Sequence, residues 1–218
     1  MEANMLVGER MKRPVITIKP EMPIIEALDL MHKEHIRRAP IVKDGKLIGI
    51  VSEKDLLNAS PSSATSLSIW EMNYLLSKVQ VKDVMTKNVL TVAEDTPLEE
   101  AARIMSDNKI GCMPVMRDGH VVGIITETDL FKIFLELLGA REMGVRVSAL
   151  IRDERGQLAK LTQALTNQGG NFVAFGLFFG EDSSNRLLTF KVEGIELEKV
   201  KGLLEPIVIR IVDIRNTP

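Results

Sequence analysis

The chain has 218 residues, with 28 Lys and Arg against 30 Asp and Glu and a formal net charge of −2. This length allows one large domain or two modest ones. The near-zero charge excludes a global field that would recruit nucleic acid, and no apolar run reaches the ~20 residues that span a bilayer. No secretory signal is visible, and the single cysteine, Cys112, excludes an internal disulfide framework. We expect a cytoplasmic protein that binds neither nucleic acid nor membranes.

An internal repeat organises the first two thirds of the chain. Shifted by 74 residues, Val7–Leu57 aligns with Val81–Phe131 without a gap, with about 17 identities in 51 positions. Each copy predicts a β-α-β-β-α unit: a short strand (Val15–Ile18 or Val89–Val92), a helix with a proline at its N1 position, an Asp-Gly hairpin and a final helix. Because repeats of this size usually stack, we expect the two copies to pack on each other.

Residues 58–80 interrupt the repeat. The stretch Ser60–Ser66 is a loop by composition. After it, Ser68-x-x-Glu71 predicts a capping box for a helix that carries Trp70 and Tyr74. We interpret this segment as an inserted packing helix at a candidate dimer interface.

A new pattern begins near Val145 and predicts the order βαββαβ, which is the ferredoxin-like arrangement. The predicted fold class is therefore α+β, with two β-α-β-β-α repeats packed as a pseudo-twofold pair and a C-terminal ferredoxin-like domain. The predicted boundaries are residues 7–60 for the first repeat, 61–80 for the linker, 81–138 for the second repeat and 144–215 for the C-terminal domain.

One local motif occurs in both repeats, at Ser52-Glu53-Lys54-Asp55 and at Thr126-Glu127-Thr128-Asp129. Two interpretations stay open. In the first, the hydroxyl and the acid three residues later only cap a helix. In the second, the hydroxyl and free N–H groups receive an anionic group while the carboxylate accepts hydrogen bonds from a ribose diol.

The repeats resemble a pair of cystathionine-β-synthase (CBS) domains, above all in the pattern G-h-h-[S/T]-x-x-D after the hairpin. The last third resembles an ACT domain, through Asp153-Glu154-Arg155-Gly156-Gln157-Leu158 and Gly169-Gly170-Asn171. The order CBS–CBS–ACT with an insert between the repeats is similar to the acetoin-utilisation protein family.

The CBS resemblance implies a non-catalytic regulatory protein that binds AMP, ADP, ATP or a related adenosine ligand in clefts between the repeats. Asp55 and Asp129 match the ribose-binding aspartate, and Ser52 and Thr126 match the hydroxyl beside it. The other implied site residues are Thr17, Ile18, Ala39 and Pro40 in the first repeat and Thr91, Val92, Met113 and Pro114 in the second.

Two arginines distinguish the copies, because Arg37 and Arg38 align with Gly111 and Cys112. Guanidinium groups suit phosphates. We therefore predict unequal clefts, with phosphate-rich ligands preferring the one that Arg37 and Arg38 reach. The alternative is that both arginines are solvated surface residues.

The ACT resemblance implies dimerisation, or an amino-acid site where two such domains meet, at Asp153, Gly156, Gln157, Leu158 and Asn171. A glycine that opens a helix can also be purely architectural. Exposed sheet edges and the apolar linker helix predict a homodimer. The resemblance further implies a regulated enzyme partner, with acetoin utilisation as the setting.

Residues that would support catalysis or a metal site are not evident. The histidines lack metal-ligand spacing, Cys112 is expected to be a small core residue, and no nucleophile elbow or Walker loop is present. We therefore predict a protein that is not an enzyme. The alternatives are a ligand-free dimeric interaction scaffold and a hydrolase or transferase that acts on the bound nucleotide.

Overall fold

Each copy of the repeat folds around a β-hairpin. The computed structural model describes residues 5–59 and 78–217. The first copy contains α1 (Val7–Arg10), α2 (Ile24–Lys33), β1 (Arg38–Lys43), β2 (Lys46–Ser52) and α3 (Glu53–Asn58). The second contains α4 (Val81–Val84), β3 (Val92–Ala93), α5 (Leu98–Asn108), β4 (Cys112–Arg117), β5 (His120–Thr126) and α6 (Glu127–Leu137).

Both hairpins turn at the predicted Asp-Gly pair. Asp44 and Gly45 have φ values of 50° and 76°, and Asp118 and Gly119 have values of 50° and 79°. Two successive residues with positive φ form the tight turn whose twist matches that of the flanking strands. The predicted hairpins are therefore confirmed.

The first strand of each repeat is shorter than predicted. In the first copy only Ile18 pairs, in a parallel bridge with Ile41. In the second copy the strand is Val92–Ala93, parallel to β4. The apolar alternation extends over more residues than find a partner strand. Pro23 and Pro97 also occupy the N-cap position of α2 and α5 rather than N1, because their ψ of about 144° is extended and not helical.

A short segment at the start of the first repeat docks on the second repeat. We call residues 5–12, which include α1, the first strap. The Val7 N–H donates to the Thr96 carbonyl (2.9 Å) and the Gly8 N–H to the Glu94 carbonyl (2.7 Å). At the end of the strap, Lys12 forms an antiparallel bridge with Ile124 of β5. The first strap therefore completes the second repeat.

The second strap, residues 79–86, does the reverse. The Val81 N–H donates to the Met22 carbonyl (2.9 Å), and Thr86 forms an antiparallel bridge with Ile50 of β2. Val81 itself is fully buried in the core of the first repeat. The two repeats are thus joined by an exchange of straps, which the sequence analysis did not predict.

Glycine permits the close approach of each strap. A Cβ atom at Gly49 would lie 3.0 Å from the Thr86 carbonyl oxygen and against Met85. A Cβ atom at Gly123 would lie 3.1 Å from the Lys12 carbonyl oxygen and against Met11. Because real Cβ atoms rarely approach backbone this closely, both glycines are required by the exchange.

The C-terminal unit begins at Phe131. Its elements are β6 (Gly144–Arg152), α7 (Gln157–Thr166), β7 (Asn171–Phe179), β8 (Asn185–Glu193), α8 (Leu197–Leu204) and β9 (Arg210–Thr217). The four strands form an antiparallel sheet in the order β7-β8-β6-β9, so the predicted element order βαββαβ is confirmed. Side chains of α7 and α8, such as Leu161 and Val200, form its core against one face of the sheet.

A buried lysine lies on the face of this sheet that is opposite α7 and α8. Lys191 is 3% exposed, and its Nζ donates to the carbonyls of Gly139 (2.7 Å) and Glu142 (2.6 Å). The turn that follows α6 is therefore fixed to β8.

The predicted linker helix, with Trp70 and Tyr74, lies outside the described residues. Among the helices that the structure describes, none is long and apolar enough to cross a membrane.

Candidate ligand-binding cleft

A cleft of about 520 Å³ lies between the two repeats, and both contribute equivalent residues to it. Residues 52–54, where β2 passes into α3, line one side, and residues 126–128, where β5 passes into α6, line the other. Its volume falls within the roughly 300–1,000 Å³ of small-molecule sites.

In the first repeat, Ser52 caps α3 as predicted. The Asp55 N–H donates to Ser52 Oγ (3.2 Å), while Asp55 Oδ2 accepts from the Ser52 N–H (2.8 Å) and from its hydroxyl (2.6 Å). This is a reciprocal capping box. The prediction of a helix cap is therefore confirmed.

The second repeat has the same two hydrogen bonds to the aspartate. Asp129 Oδ2 accepts from the Thr126 N–H (3.0 Å) and from the Thr126 hydroxyl (2.6 Å), and Asp129 is only 5% exposed. Within the described part of the chain, the Oδ1 atoms of Asp55 and Asp129 accept no hydrogen bond. Each carboxylate thus serves the cap with one oxygen, and neither aspartate lines the cleft.

The cleft is cationic. Four Lys and Arg side chains line it, together with His35, against two carboxylates, Glu53 and Glu127. The Lys and Arg side chains are those of Lys12, Arg37, Arg38 and Lys54. All four basic residues are exposed. Such a lining favours a ligand with negative charge.

All four cations occupy positions where the aligned residue in the other copy is uncharged. With the offset of 74 residues, their counterparts are Thr86, Gly111, Cys112 and Thr128. The acidic residues, in contrast, are equivalent, since Glu53 aligns with Glu127. The four cations of the cleft are therefore all contributed by residues of the first copy.

Arg38 reaches across the cleft to the second repeat. Its Nη1 donates to the Gly111 carbonyl at 3.3 Å, and a Cβ atom at Gly111 would lie 2.8 Å from Arg38 Nη2 and 2.7 Å from Glu127 Oε2. The absence of a side chain at Gly111 therefore leaves room for both groups.

Cys112 lies beside these charges. It is 6% exposed, and burial raises the pKa of its thiol to about 11, an effect that Arg38 opposes and Glu127 reinforces. The predicted assignment of Cys112 as a small core residue is confirmed.

Glu53 is engaged outside its own helix. Its Oε1 lies 2.9 Å from Nε2 of His32, which projects from α2 and is exposed. The second repeat has Ser106 at the position of His32. His32 is therefore an exposed residue that pairs with Glu53.

Four predicted nucleotide-binding residues line the cleft: Arg37, Arg38, Ser52 and Thr126. Asp55 and Asp129 lie one helical turn behind the last two. Arg37 and Arg38 are both exposed and both line the cleft, so their assignment as phosphate-binding residues or as solvated surface residues stays open.

The other eight predicted residues lie in or beside strands and do not line the cleft. Ile18, Ala39, Pro40, Val92, Met113 and Pro114 are buried, whereas Thr17 and Thr91 are exposed. The Ile18 N–H donates to the Pro40 carbonyl (3.0 Å), and Pro114 pairs with Ile124, which lines the cleft.

Sequence reasoning missed two of the cations, Lys12 and Lys54. Exposed lysines are ordinarily solvated, so each alone carries no signal. A position-by-position comparison of charge between the aligned copies would have found both, since their counterparts are threonines.

The predicted amino-acid site is dispersed within one chain. Asp153 follows β6, at the end where Arg152 pairs with Asn185, whereas Asn171 pairs with Glu193 at the other end of β8. Eight residues of strand separate these ends by about 26 Å. The structure therefore does not bring Asp153 and Asn171 together in one protomer.

The individual side chains of this set have internal partners or structural positions. Asp153 pairs with Arg186 (2.9 Å), buried Gln157 donates to the Ile207 carbonyl (2.6 Å), and Asn171 donates to Glu193 (2.8 Å). Gly156 has a φ of 83° as the N-cap of α7, and Leu158 packs partly buried against the core.

This chain matches several solved structures over nearly the whole length of each of them. A proposed acetoin utilization protein (AcuB) from Vibrio cholerae is 36% identical, with a TM-score of 0.52, over 62% of this chain and 94% of that one. The protein CBSX2 in complex with AMP is 30% identical, with a TM-score of 0.52, over 62% and 99%. The CBS domain pair of protein MJ0100, in complex with 5-methylthioadenosine and S-adenosyl-L-methionine, is 32% identical, with a TM-score of 0.50, over 63% and 98%.

Sequence relatives include larger enzymes. The chain is 37% identical over 119 residues to inosine-5'-monophosphate dehydrogenase from Thermoplasma acidophilum, but spans only 21% of that enzyme. The family model of the CBS domain matches residues 7–62 and 81–136, the two repeats that enclose the cleft. This chain therefore belongs to the CBS domain family and carries a tandem pair of these domains.

Proposed function

We propose that this protein is a non-catalytic regulatory protein that binds an adenosine nucleotide in the cleft of its CBS pair. The cleft itself carries the proposal: two equivalent capped junctions face each other across a volume that suits a small molecule, and four cations line it. The proposed site residues are the twelve implied by the resemblance together with Arg37 and Arg38, with Lys12 and Lys54 added.

The chemistry of a nucleotide fits these groups. A ribose presents two vicinal hydroxyls, and an ionised carboxylate oxygen accepts hydrogen bonds from both. Asp55 and Asp129 each have an oxygen that the cap does not use. The phosphates would meet the guanidinium groups of Arg37 and Arg38, which suit bidentate contacts with phosphate oxygens.

The related structures support the same ligand class, since CBSX2 holds AMP and the MJ0100 pair holds 5-methylthioadenosine and S-adenosyl-L-methionine. Regulation requires that the ligand bind two states of the protein with different affinity. We propose that nucleotide binding across the cleft favours one relative arrangement of the repeats.

The test separates binding from helix capping. In Asp129→Asn the side-chain oxygen still accepts from Thr126, so the cap is kept, but the second oxygen becomes an amide donor. We expect a thermal shift of several degrees with AMP, ADP or ATP for the wild type and its loss in Asp129→Asn at nearly unchanged stability of the free protein. Asp129→Ala should lose binding together with about 1 kcal/mol of cap stability.

The opposite result would favour the ligand-free scaffold. If no adenosine compound shifts the melting temperature of the wild type, the nucleotide site is refuted. Product analysis after incubation with ATP tests the remaining alternative, and recovery of intact ATP is the expected result.

We propose that the C-terminal unit is an ACT-like domain, residues 144–215, that dimerises through the free edge of β7. The nine residues of β7 carry no charge, and Leu177 and Phe179 are 47% and 88% exposed. The other edge strand, β9, carries Arg210, Asp213 and Arg215. Charged side chains protect an edge from pairing, so β7 is the edge that remains open to a partner strand.

Substitution of each edge tests this dimer. Leu177→Lys is expected to convert a homodimer into a monomer in analytical ultracentrifugation, whereas the matched change Val212→Lys on β9 should leave the mass unchanged. A dimer that survives Leu177→Lys, or a wild type that is monomeric, refutes dimerisation through β7.

A dimer would also be needed to reunite the amino-acid-binding candidates. Because Asp153 and Asn171 lie at opposite ends of the sheet, a shared ligand would require Asn171 from a second copy.

Likeness to the acetoin utilization protein supports regulation of an enzyme of that pathway, in the cytoplasm. Disruption of the gene tests this role: slower growth on acetoin is expected, and growth at the wild-type rate contradicts it.

A further inference from the structure

The two repeats contribute different groups to the cleft that would receive a phosphate chain. The first repeat contributes Arg37, Arg38 and Lys54, and the first strap adds Lys12. The second repeat contributes Gly111, Thr126 and Thr128, which are uncharged, and the acidic Glu127. Because Arg38 reaches the Gly111 carbonyl and Lys12 is bridged to Ile124, residues of the first copy also supply the positive charge beside the second repeat, and all four cations serve one cleft.

The straps make this asymmetry part of the fold. Lys12 belongs to the first repeat in sequence but is held by the second, through its backbone bridge to Ile124. The equivalent bridge places Thr86 against Ile50. One strap therefore delivers an ammonium group to the cleft, and the other delivers a hydroxyl group.

The positive charge of the cleft is also expected to favour some adenosine ligands over others, according to the charge of the ligand. ATP carries a polyanionic chain, AMP a single phosphate, and S-adenosyl-L-methionine a sulfonium cation. Four cations against two carboxylates stabilise the first most and oppose the sulfonium.

We infer that the cleft is selective for a single polyphosphate chain, so that one nucleoside triphosphate binds per CBS pair and S-adenosyl-L-methionine is rejected. This inference rests on the proposed nucleotide-binding function and adds its ligand class and stoichiometry. The adenosine moiety alone supplies weaker binding, and the phosphates provide the discrimination.

Isothermal titration calorimetry of the full chain tests the selectivity. We expect one ATP per chain, affinity that falls in the order ATP, ADP, AMP, and no detectable heat with S-adenosyl-L-methionine. Raising the salt concentration should weaken ATP more than AMP, since screening acts on each phosphate contact.

The contribution of each lysine is tested by replacing it with the residue that the second repeat has at the aligned position. Lys12→Thr and Lys54→Thr should each weaken ATP by about three- to tenfold and affect adenosine little. Lys46→Thr is the matched control, since Lys46 is an exposed lysine of the same repeat at the hairpin turn and does not line the cleft.

The outcomes distinguish this inference from the function on which it rests. If adenosine and S-adenosyl-L-methionine bind as tightly as ATP, or if two ATP molecules bind per chain, the selectivity is refuted while nucleotide binding stands. If ATP binding survives the double variant Lys12→Thr/Lys54→Thr unchanged, the role of the lysines is refuted. If no adenosine compound binds at all, the proposed function itself fails.

Discussion

Val81 offers the sharpest test of the strap exchange, because it lies in the second repeat by sequence and in the core of the first by structure. Its side chain is fully buried with Ile18, Ile24 and Met31. Val81→Ala removes the equivalent of two methylene groups, about 1.6 kcal/mol of transfer free energy, and the cavity raises the total to about 2–3 kcal/mol. This is a large fraction of the stability of an ordinary domain.

Native-state hydrogen exchange measures where that stability is lost. We expect the amides of α2 to lose about 30- to 150-fold of their protection, and those of α5 to lose less. Val7→Ala should give the reverse order, because Val7 is equally buried in the strap that docks on the second repeat. Lys82→Ala, an exposed neighbour of Val81, is the control and should change neither helix.

The same order of loss in both valine variants would refute the exchange. If each strap packed on its own repeat, Val81→Ala would reduce the protection of α5 more than that of α2, and this result would refute the exchange as well. Equal loss in α2 and α5 for both variants would show that the pair opens as one unit.

Three further changes have defined outcomes. Gly123→Ala should displace the first strap, because the new Cβ atom meets the Lys12 carbonyl and Met11. We therefore expect a lower melting temperature and a lower ATP affinity in calorimetry. An unchanged ATP affinity would show that Lys12 does not contact the ligand. Lys191→Met removes two hydrogen bonds from a buried ammonium and should cost about 2 kcal/mol in urea denaturation; a neutral or stabilising effect would show that the desolvation of Lys191 outweighs them. The unfolded chain loses the Cys112 proton near pH 9, whereas the folded chain keeps it until the raised pKa of about 11. The free energy of unfolding should therefore fall between these pH values, and Cys112→Ala should lack this part of the fall. Equal dependence of stability on pH in the two proteins would contradict the raised pKa.

Much of the fold follows from local signals in the sequence. The Asp-Gly turns at residues 44–45 and 118–119 specify their hairpins because positive φ at both positions is rare in any other context. The caps at Ser52 and Thr126 are equally local, since donor and acceptor lie within one turn of helix. The order βαββαβ follows from the change of apolar period along residues 145–214.

The strap exchange and the cation cluster could not be predicted in this way. α1 and α4 have four residues each, which is too short for a hydrophobic period, and their partners lie more than fifty residues away along the chain. Lys12 reaches the cleft only because its strap docks on β5. The long predicted first strands failed for the same reason, since pairing depends on the partner and not on the apolar pattern.

The exchange also means that the unit duplicated in the sequence is not the unit that folds. A fragment that ends after α3 would contain the first repeat without Val81, and the complementary fragment would lack Val7. Each half would expose the core position that the other half fills, so neither is complete as an isolated domain. A backbone cut between residues 60 and 77 would instead leave two chains that hold each other through both straps. The pair would then behave as a heterodimer whose subunits were once covalently joined.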